Sequence, residues 1–213
     1  MIFKYKQKIL FQGDSITDSN RNYSSSGLGE GYVFIVAAWL KAIYPQLELE
    51  FFNRGISGDT VLDLKNRWVD DCIDLGADVI SILIGINDCN KNISNDDYLK
   101  SYEEILKLSK QKLKNPYFIL MEPFILEIDK YHRKIKKSVE EKCEIVKFLS
   151  KKYNGIVVPL YSIFEKLSKI KSPEYWAADG IHPTLQGHFV IALEFLKATG
   201  AIDGQYSSYR FHV

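Results

Sequence analysis

Val79-Ile80-Ser81-Ile82-Leu83-Ile84 is apolar at every position but one. A strand with one wet face alternates, whereas a strand covered on both faces reads as a continuous apolar run, the habit of parallel sheets packed between helices. Four more runs can join it, at 8–12, 47–52, 117–121 and 155–159. Leu47, Leu49 and Phe51 alternate with polar residues, which places 47–52 toward the edge of the sheet. Helical patterns fill the intervals. Ile128, Tyr131, Ile135, Val139, Cys143, Val146, Leu149 and Tyr153 recur every three or four residues as one stripe. Ser94 caps another helix, with Asp96 and Asp97 at its positive end and Tyr98, Tyr102, Ile105 and Leu106 on its apolar side. The last helix starts after Thr184 and runs through Val190, Ile191 and Leu193 toward Gly200. This alternation predicts an α/β fold, a three-layer α/β/α sandwich around a mostly parallel sheet of about five strands.

The chain has 213 residues, enough for one domain with a substantial core, and 201–213 form a polar and aromatic tail with no assignment. A net charge of +1 supports neither a nucleic-acid partner nor an anionic membrane surface. Cys72, Cys89 and Cys143 are odd in number and lack metal-ligand spacing, which suits buried thiols in a reducing compartment. No apolar stretch approaches the length of a membrane span, and the amino terminus leaves no room for a secretory leader, so the expected compartment is the cytoplasm. The segment 20–31, rich in serine and glycine, reads as a mobile loop over the sheet's ligand edge. Its Gly27-Leu28-Gly29-Glu30-Gly31 matches no dinucleotide fingerprint and lacks a P-loop lysine.

Chemistry concentrates where strands end. Ser15 follows the first apolar run on the turn Gly13-Asp14-Ser15-Ile16-Thr17, at the edge where open α/β sheets bind ligands. A serine hydroxyl becomes a nucleophile only when a base takes its proton. Asp179-Gly180-Ile181-His182-Pro183 supplies an imidazole and, three residues earlier, a carboxylate for its other nitrogen. Gly58 and Asn87 sit on two further strand-end loops. Asp14, beside the serine, reads as a brace for the turn, as do Asn53 and Asp88. His132, His188 and His212 have no partner at motif spacing and read as surface or packing residues.

Four blocks in order resemble the SGNH, or GDSL, hydrolase family: Gly13-Asp14-Ser15-Ile16-Thr17, Asn53-Arg54-Gly55-Ile56-Ser57-Gly58, Gly85-Ile86-Asn87-Asp88 and Asp179-Gly180-Ile181-His182-Pro183. The resemblance implies a flavodoxin-like strand order and a serine esterase with no metal or organic cofactor. It implies Ser15, Asp179 and His182 as the triad, with an oxyanion hole of the Ser15 and Gly58 N–H groups and the Asn87 amide. Gly55 is the rival to Gly58. The family often has Gly-Gly-Asn-Asp where this chain has Gly85-Ile86-Asn87-Asp88, so Ile86 is expected to narrow the pocket, and Trp176 to wall it or stack on a sugar.

The expected substrate is a small-molecule ester with a short acyl group, such as an acetyl group on carbohydrate. A lysophospholipase or thioesterase is the alternative within the fold, and a non-catalytic binding module the alternative outside it. Thr17 occupies the place of the final glycine in the Gly-x-Ser-x-Gly elbow, which argues against the α/β-hydrolase fold. Protonation of His182 is expected to silence the enzyme at low pH.

Overall fold

The computed structural model describes residues 1–202; the tail beyond Ile202, and His212 with it, lies outside the described residues. In chain order the elements are β1 (Lys8–Gly13), α1 (Ser15–Asp18), α2 (Tyr32–Ile43), β2 (Glu50–Asn53), α3 (Val61–Asn66), β3 (Val79–Leu83), α4 (Ile86–Asn90), α5 (Asn95–Lys112), β4 (Tyr117–Met121), α6 (Lys130–Lys152), β5 (Ile156–Val158), α7 (Leu160–Leu167), α8 (Pro173–Trp176) and α9 (Leu185–Ala198). The five strands pair in the order β2-β1-β3-β4-β5, all parallel.

β3 is buried along its whole length, as its almost wholly apolar sequence demands. Alternate residues of each strand face opposite sides of the sheet. Ile9, Phe11, Val79, Ile119 and Met121 therefore pack with α2, α7 and α9, while Leu10, Ile80, Ile82, Phe118 and Leu120 pack with α3 and α5. Burial of each such side chain contributes roughly 1.5–3 kcal/mol. The long helix α6 serves both cores, with Ile135, Val139 and Cys143 on the first side and Val146 and Leu149 on the second.

The strand order reverses direction at β1, because β2 lies on one side of it and β3 on the other. Such a switch point opens a crevice beyond the carboxyl ends of the two strands. Register pairs Gly13 with Leu83, so the residues that follow β1 and β3 emerge side by side into that crevice. Ser15 and Asn87 are those residues.

Two expectations need correction. The run 47–52 does not begin as a strand: Pro45–Leu47 form a 3-10 turn, Glu48 takes a left-handed φ of 48°, and β2 starts only at Glu50. Proline and a positive φ both oppose an extended ladder. On α6, Tyr131 turns out to solvent at 47% exposure, whereas His132 and Lys142 are buried. The Lys142 ammonium reaches the Ile93 carbonyl at 3.2 Å and lies over the Tyr98 ring. Ser94 and Thr184 do cap α5 and α9, accepting from the N–H groups of Asp97 and Gly187.

Candidate active site

The nucleophile turn is held from within. Asp14 caps α1 by accepting from the Ile16 N–H at 3.0 Å, which leaves Ser15 at the first helical position with its hydroxyl facing the crevice. Gly13 is required there, since a Cβ would meet the Thr17 hydroxyl at 2.3 Å and the Leu83 carbonyl at 2.4 Å. Burial, reinforced by the Asp88 carboxylate, pushes the Asp14 carboxyl up to about 7. Burial likewise lifts Asp88 to about 6. Asp88 ties two loops together: it follows Asn87 in sequence and accepts from the Val61 N–H at 3.0 Å.

Because the folded-state value of Asp14 lies above that of an unfolded aspartate, its stabilising share is full below about pH 4 and is lost as pH rises through about 7. Asp14→Asn keeps an acceptor for Ile16 and cannot ionise. The variant is expected to match wild type near pH 4 and to exceed it at pH 8, by an amount on the order of 4 kcal/mol. Thermal unfolding at both pH values checks this; an unchanging difference between the two proteins refutes it.

The acid–base residues arrive from the far end of the chain. Ala177 and Pro183 form an isolated antiparallel bridge, and the Ala178 N–H donates to the His182 carbonyl at 3.1 Å. The enclosed turn presents Asp179 and His182 on one side. The Ser15 hydroxyl lies 2.9 Å from His182 Nε2, and His182 Nδ1 lies 2.6 Å from Asp179 Oδ2. The other carboxylate oxygen accepts from the N–H groups of Ile181 and His182 at 3.0 and 2.7 Å. Partial burial opposes ionisation of Asp179, but these bonds to His182 and Ile181 outweigh it and hold the carboxyl down at about 2. His188 packs nearby and takes the Tyr32 N–H on Nδ1 at 3.2 Å. Burial and the neighbouring His182 depress it to about 4, so it stays neutral as a packing residue.

The third wall is the loop after β2. Gly55 cannot offer an N–H to a ligand, because that group donates to Asn53 Oδ1 at 2.9 Å, and a Cβ there would strike the Asp18 nitrogen at 2.3 Å. Gly58 has φ +87° and open space around it, and its N–H meets no acceptor among the described residues. Asn87 gives one amide hydrogen to the Asp59 carbonyl at 3.0 Å, which leaves the second for the crevice.

Two positioning groups, Arg67 and Lys91, escaped the sequence reading, whereas Asn53 was read as a brace. Arg67 bonds Asp59 Oδ2 at 2.8 Å, Gln12 Oε1 at 2.8 Å and Asp71, so it ties the Gly58 loop to β1. Lys91 holds the Gly58 carbonyl at 2.9 Å. Asn53 anchors the segment expected to be a mobile cover: its amide donates to the carbonyls of Thr17 and Leu28 at 2.6 and 2.8 Å. That segment is fastened beside the nucleophile.

Ile86 and Trp176 are not pocket walls of the kind expected. Ile86 is 2% exposed and belongs to the core, since the turn that brings Asn87 outward sends its neighbour inward. Trp176 is 6% exposed, and its indole N–H donates to the Leu167 carbonyl at 3.0 Å. One edge of the ring borders an apolar groove of about 620 Å³ with Ile35, Tyr175, Leu185 and Phe189, but Ser15, Asp179 and His182 are not among the groove's lining residues.

The chain is similar to known proteins in sequence and in fold. Residues 11–189 match the GDSL-like lipase/acylhydrolase family. The chain is 34% identical over 209 residues to an acetylxylan esterase of Geobacillus stearothermophilus, covering 91% of this chain and 94% of that one. The crystal structure of that organism's acetylxylan esterase Axe2 superposes with a TM-score of 0.85 at 33% identity, covering 94% of this chain and 97% of the other. LAE5, an α/β hydrolase enzyme from the metagenome of Lake Arreo, matches with a TM-score of 0.86 at 29% identity, covering 95% and 99%. With a family match spanning most of its length, and a serine set on the turn after β1, this chain is a member of the GDSL-like lipase/acylhydrolase family and hydrolyses ester bonds.

Proposed function

We propose that the protein removes small acyl groups, acetyl foremost, from carbohydrate hydroxyls by way of an acyl-enzyme on Ser15. The observation that carries this reading is the continuous hydrogen-bonded line from Ser15 through His182 to Asp179. Ser15 Oγ attacks the ester carbonyl as its proton passes to His182 Nε2. Asp179 steadies the ring and the charge it gains. The carbonyl oxygen becomes an oxyanion facing the N–H groups of Ser15 and Gly58 and the free amide hydrogen of Asn87. Donors of this kind are worth about 3–4 kcal/mol each in comparable enzymes. Collapse expels the sugar alkoxide, which takes the proton from His182. Water then enters by the same route, giving carboxylate product and free Ser15.

The small-acyl preference rests on exposure. Asp179 and His182 are each more than half exposed, Ile86 lies in the core, and the apolar groove beside the turn is not lined by Ser15, Asp179 or His182, so these catalytic side chains themselves offer a long acyl chain little apolar cover. Each methylene buried would otherwise add about 0.8 kcal/mol. The relative at 34% identity is an acetylxylan esterase, which favours a sugar ester. Hydrolysis of p-nitrophenyl acetate, butyrate and dodecanoate, alongside acetylated xylooligosaccharide, tests the reading. Acetyl esters are expected to turn over fastest, and highest kcat/KM on dodecanoate would overturn the assignment in favour of a lipid or thioester substrate.

A further inference from the structure

Asp179-Gly180-Ile181-His182 has a structural twin. In Asp129-Lys130-Tyr131-His132, Asp129 Oδ1 accepts from the N–H groups of Tyr131 and His132 at 2.8 and 3.0 Å, and from His132 Nδ1 at 2.7 Å. Each aspartate thus takes the corresponding three groups at the same sequence spacing, Asp129 on a single carboxylate oxygen and Asp179 on both. The twin has no serine at its Nε2; it faces the catalytic turn itself. A Cβ on Gly180 would lie 2.9 Å from His132 Nε2, 3.0 Å from its Cδ2 and 2.5 Å from the Leu126 carbonyl oxygen. Gly180 also has φ +80°, and its own carbonyl accepts from the Leu126 N–H at 2.8 Å.

We propose that the Asp129–His132 pair is a positioning device for catalysis, a buried ring clamped by its carboxylate that, with Leu126, fixes Gly180 and so aims Asp179 and His182 at Ser15. The chemistry of the twin suits this role. Asp129 caps α6 and cannot shift without uncapping it, so the ring it holds is referenced to the longest helix of the fold. The far side of the ring borders a cleft of about 210 Å³ walled by Leu126, Lys136, Tyr161 and Lys169. Removing the ring would join that cleft to the back of Gly180 and free the turn to swing. A displacement of 1 Å costs about 100-fold in rate when it misaligns reacting groups. The ring touches no substrate, so binding should be spared.

The proposal rests on the serine mechanism above, and its test separates the two. A fluorophosphonate titrates competent Ser15, after which kcat per titrated site and KM are measured on p-nitrophenyl acetate. His132→Ala is expected to keep KM within about twofold and to lose at least about tenfold in kcat per site. His132→Phe restores a flat ring against Gly180 and should recover most of that loss. Wild-type turnover per site in His132→Ala overturns the proposal whatever happens to Tm, as does a phenylalanine variant no faster than alanine. If His132→Ala does not fold, Asp129→Asn carries the test, because asparagine still caps the helix. It should lower kcat about threefold at constant KM, and an unchanged kcat refutes the clamp. Wild type that the phosphonate fails to label defeats the serine mechanism, and the buttress with it.

Discussion

Ser15→Ala is expected to lower kcat on an acetyl ester by roughly 10^5- to 10^6-fold, the scale seen when a triad nucleophile is removed. Stability should move by no more than about 0.5 kcal/mol, since Ser15 is only partly buried and its hydroxyl bonds only His182 among the described residues. Residual hydrolysis should persist at about 10^3 times the rate in water, because the oxyanion donors do not depend on the hydroxyl. The more searching measurement is the double variant. If Ser15 and His182 act as one unit across their 2.9 Å bond, Ser15→Ala combined with His182→Ala is no slower than either alone. Losses that multiply would mean the two residues work separately, and the mechanism proposed here would fail.

Asp179→Asn comes next in size, at roughly 10^4-fold in kcat, and its cause is a tautomer. The asparagine oxygen can still accept the backbone N–H groups of Ile181 and His182, so the turn keeps its shape. The amide nitrogen now faces His182 Nδ1, where the carboxylate stood 2.6 Å away. A donor against a donor is unfavourable, and the ring relocates its proton to Nε2. That nitrogen can then no longer take the proton of Ser15. Because the native carboxyl sits at about 2, Asp179 stays ionised through the working range. Kinetics of Asp179→Asn beside its thermal unfolding decide the matter; a folded variant within tenfold of wild type would rule out the orienting role.

The parts legible in the sequence are those whose physics is local. A nearly continuous apolar run such as 79–84 has few alternatives to a central strand, and Asp179 and His182 meet because a turn with two residues between them brings them together. What stayed hidden depends on partners far along the chain. Arg67 reaches Gln12, and nothing near either residue announces the other. Lys142 sits among charged neighbours in sequence, yet α6 turns it inward onto Tyr98. Ile86 and Trp176 were misplaced for the opposite reason: nearness to a site residue in sequence says little where a turn sends adjacent side chains to opposite sides. The reading of His132 as a residue with no partner at motif spacing was wrong: Asp129 stands three residues before it, at the Asp-x-x-His spacing of His182, while its target, Gly180, becomes visible only in three dimensions.

The bond from Ser15 to His182 spans 167 residues. During synthesis the amino-terminal portion of a chain emerges and begins to organise first. The hydroxyl therefore leaves the ribosome long before the imidazole. The strand beneath it is packed on both sides only once α9 is present, where Phe195 lies against Phe11 at 5.3 Å between ring centres. If Ser15 and His182 act together as proposed, esterase activity reports completed assembly, and a polypeptide cut short before residue 182 is expected to fall to the residual rate of a triad variant.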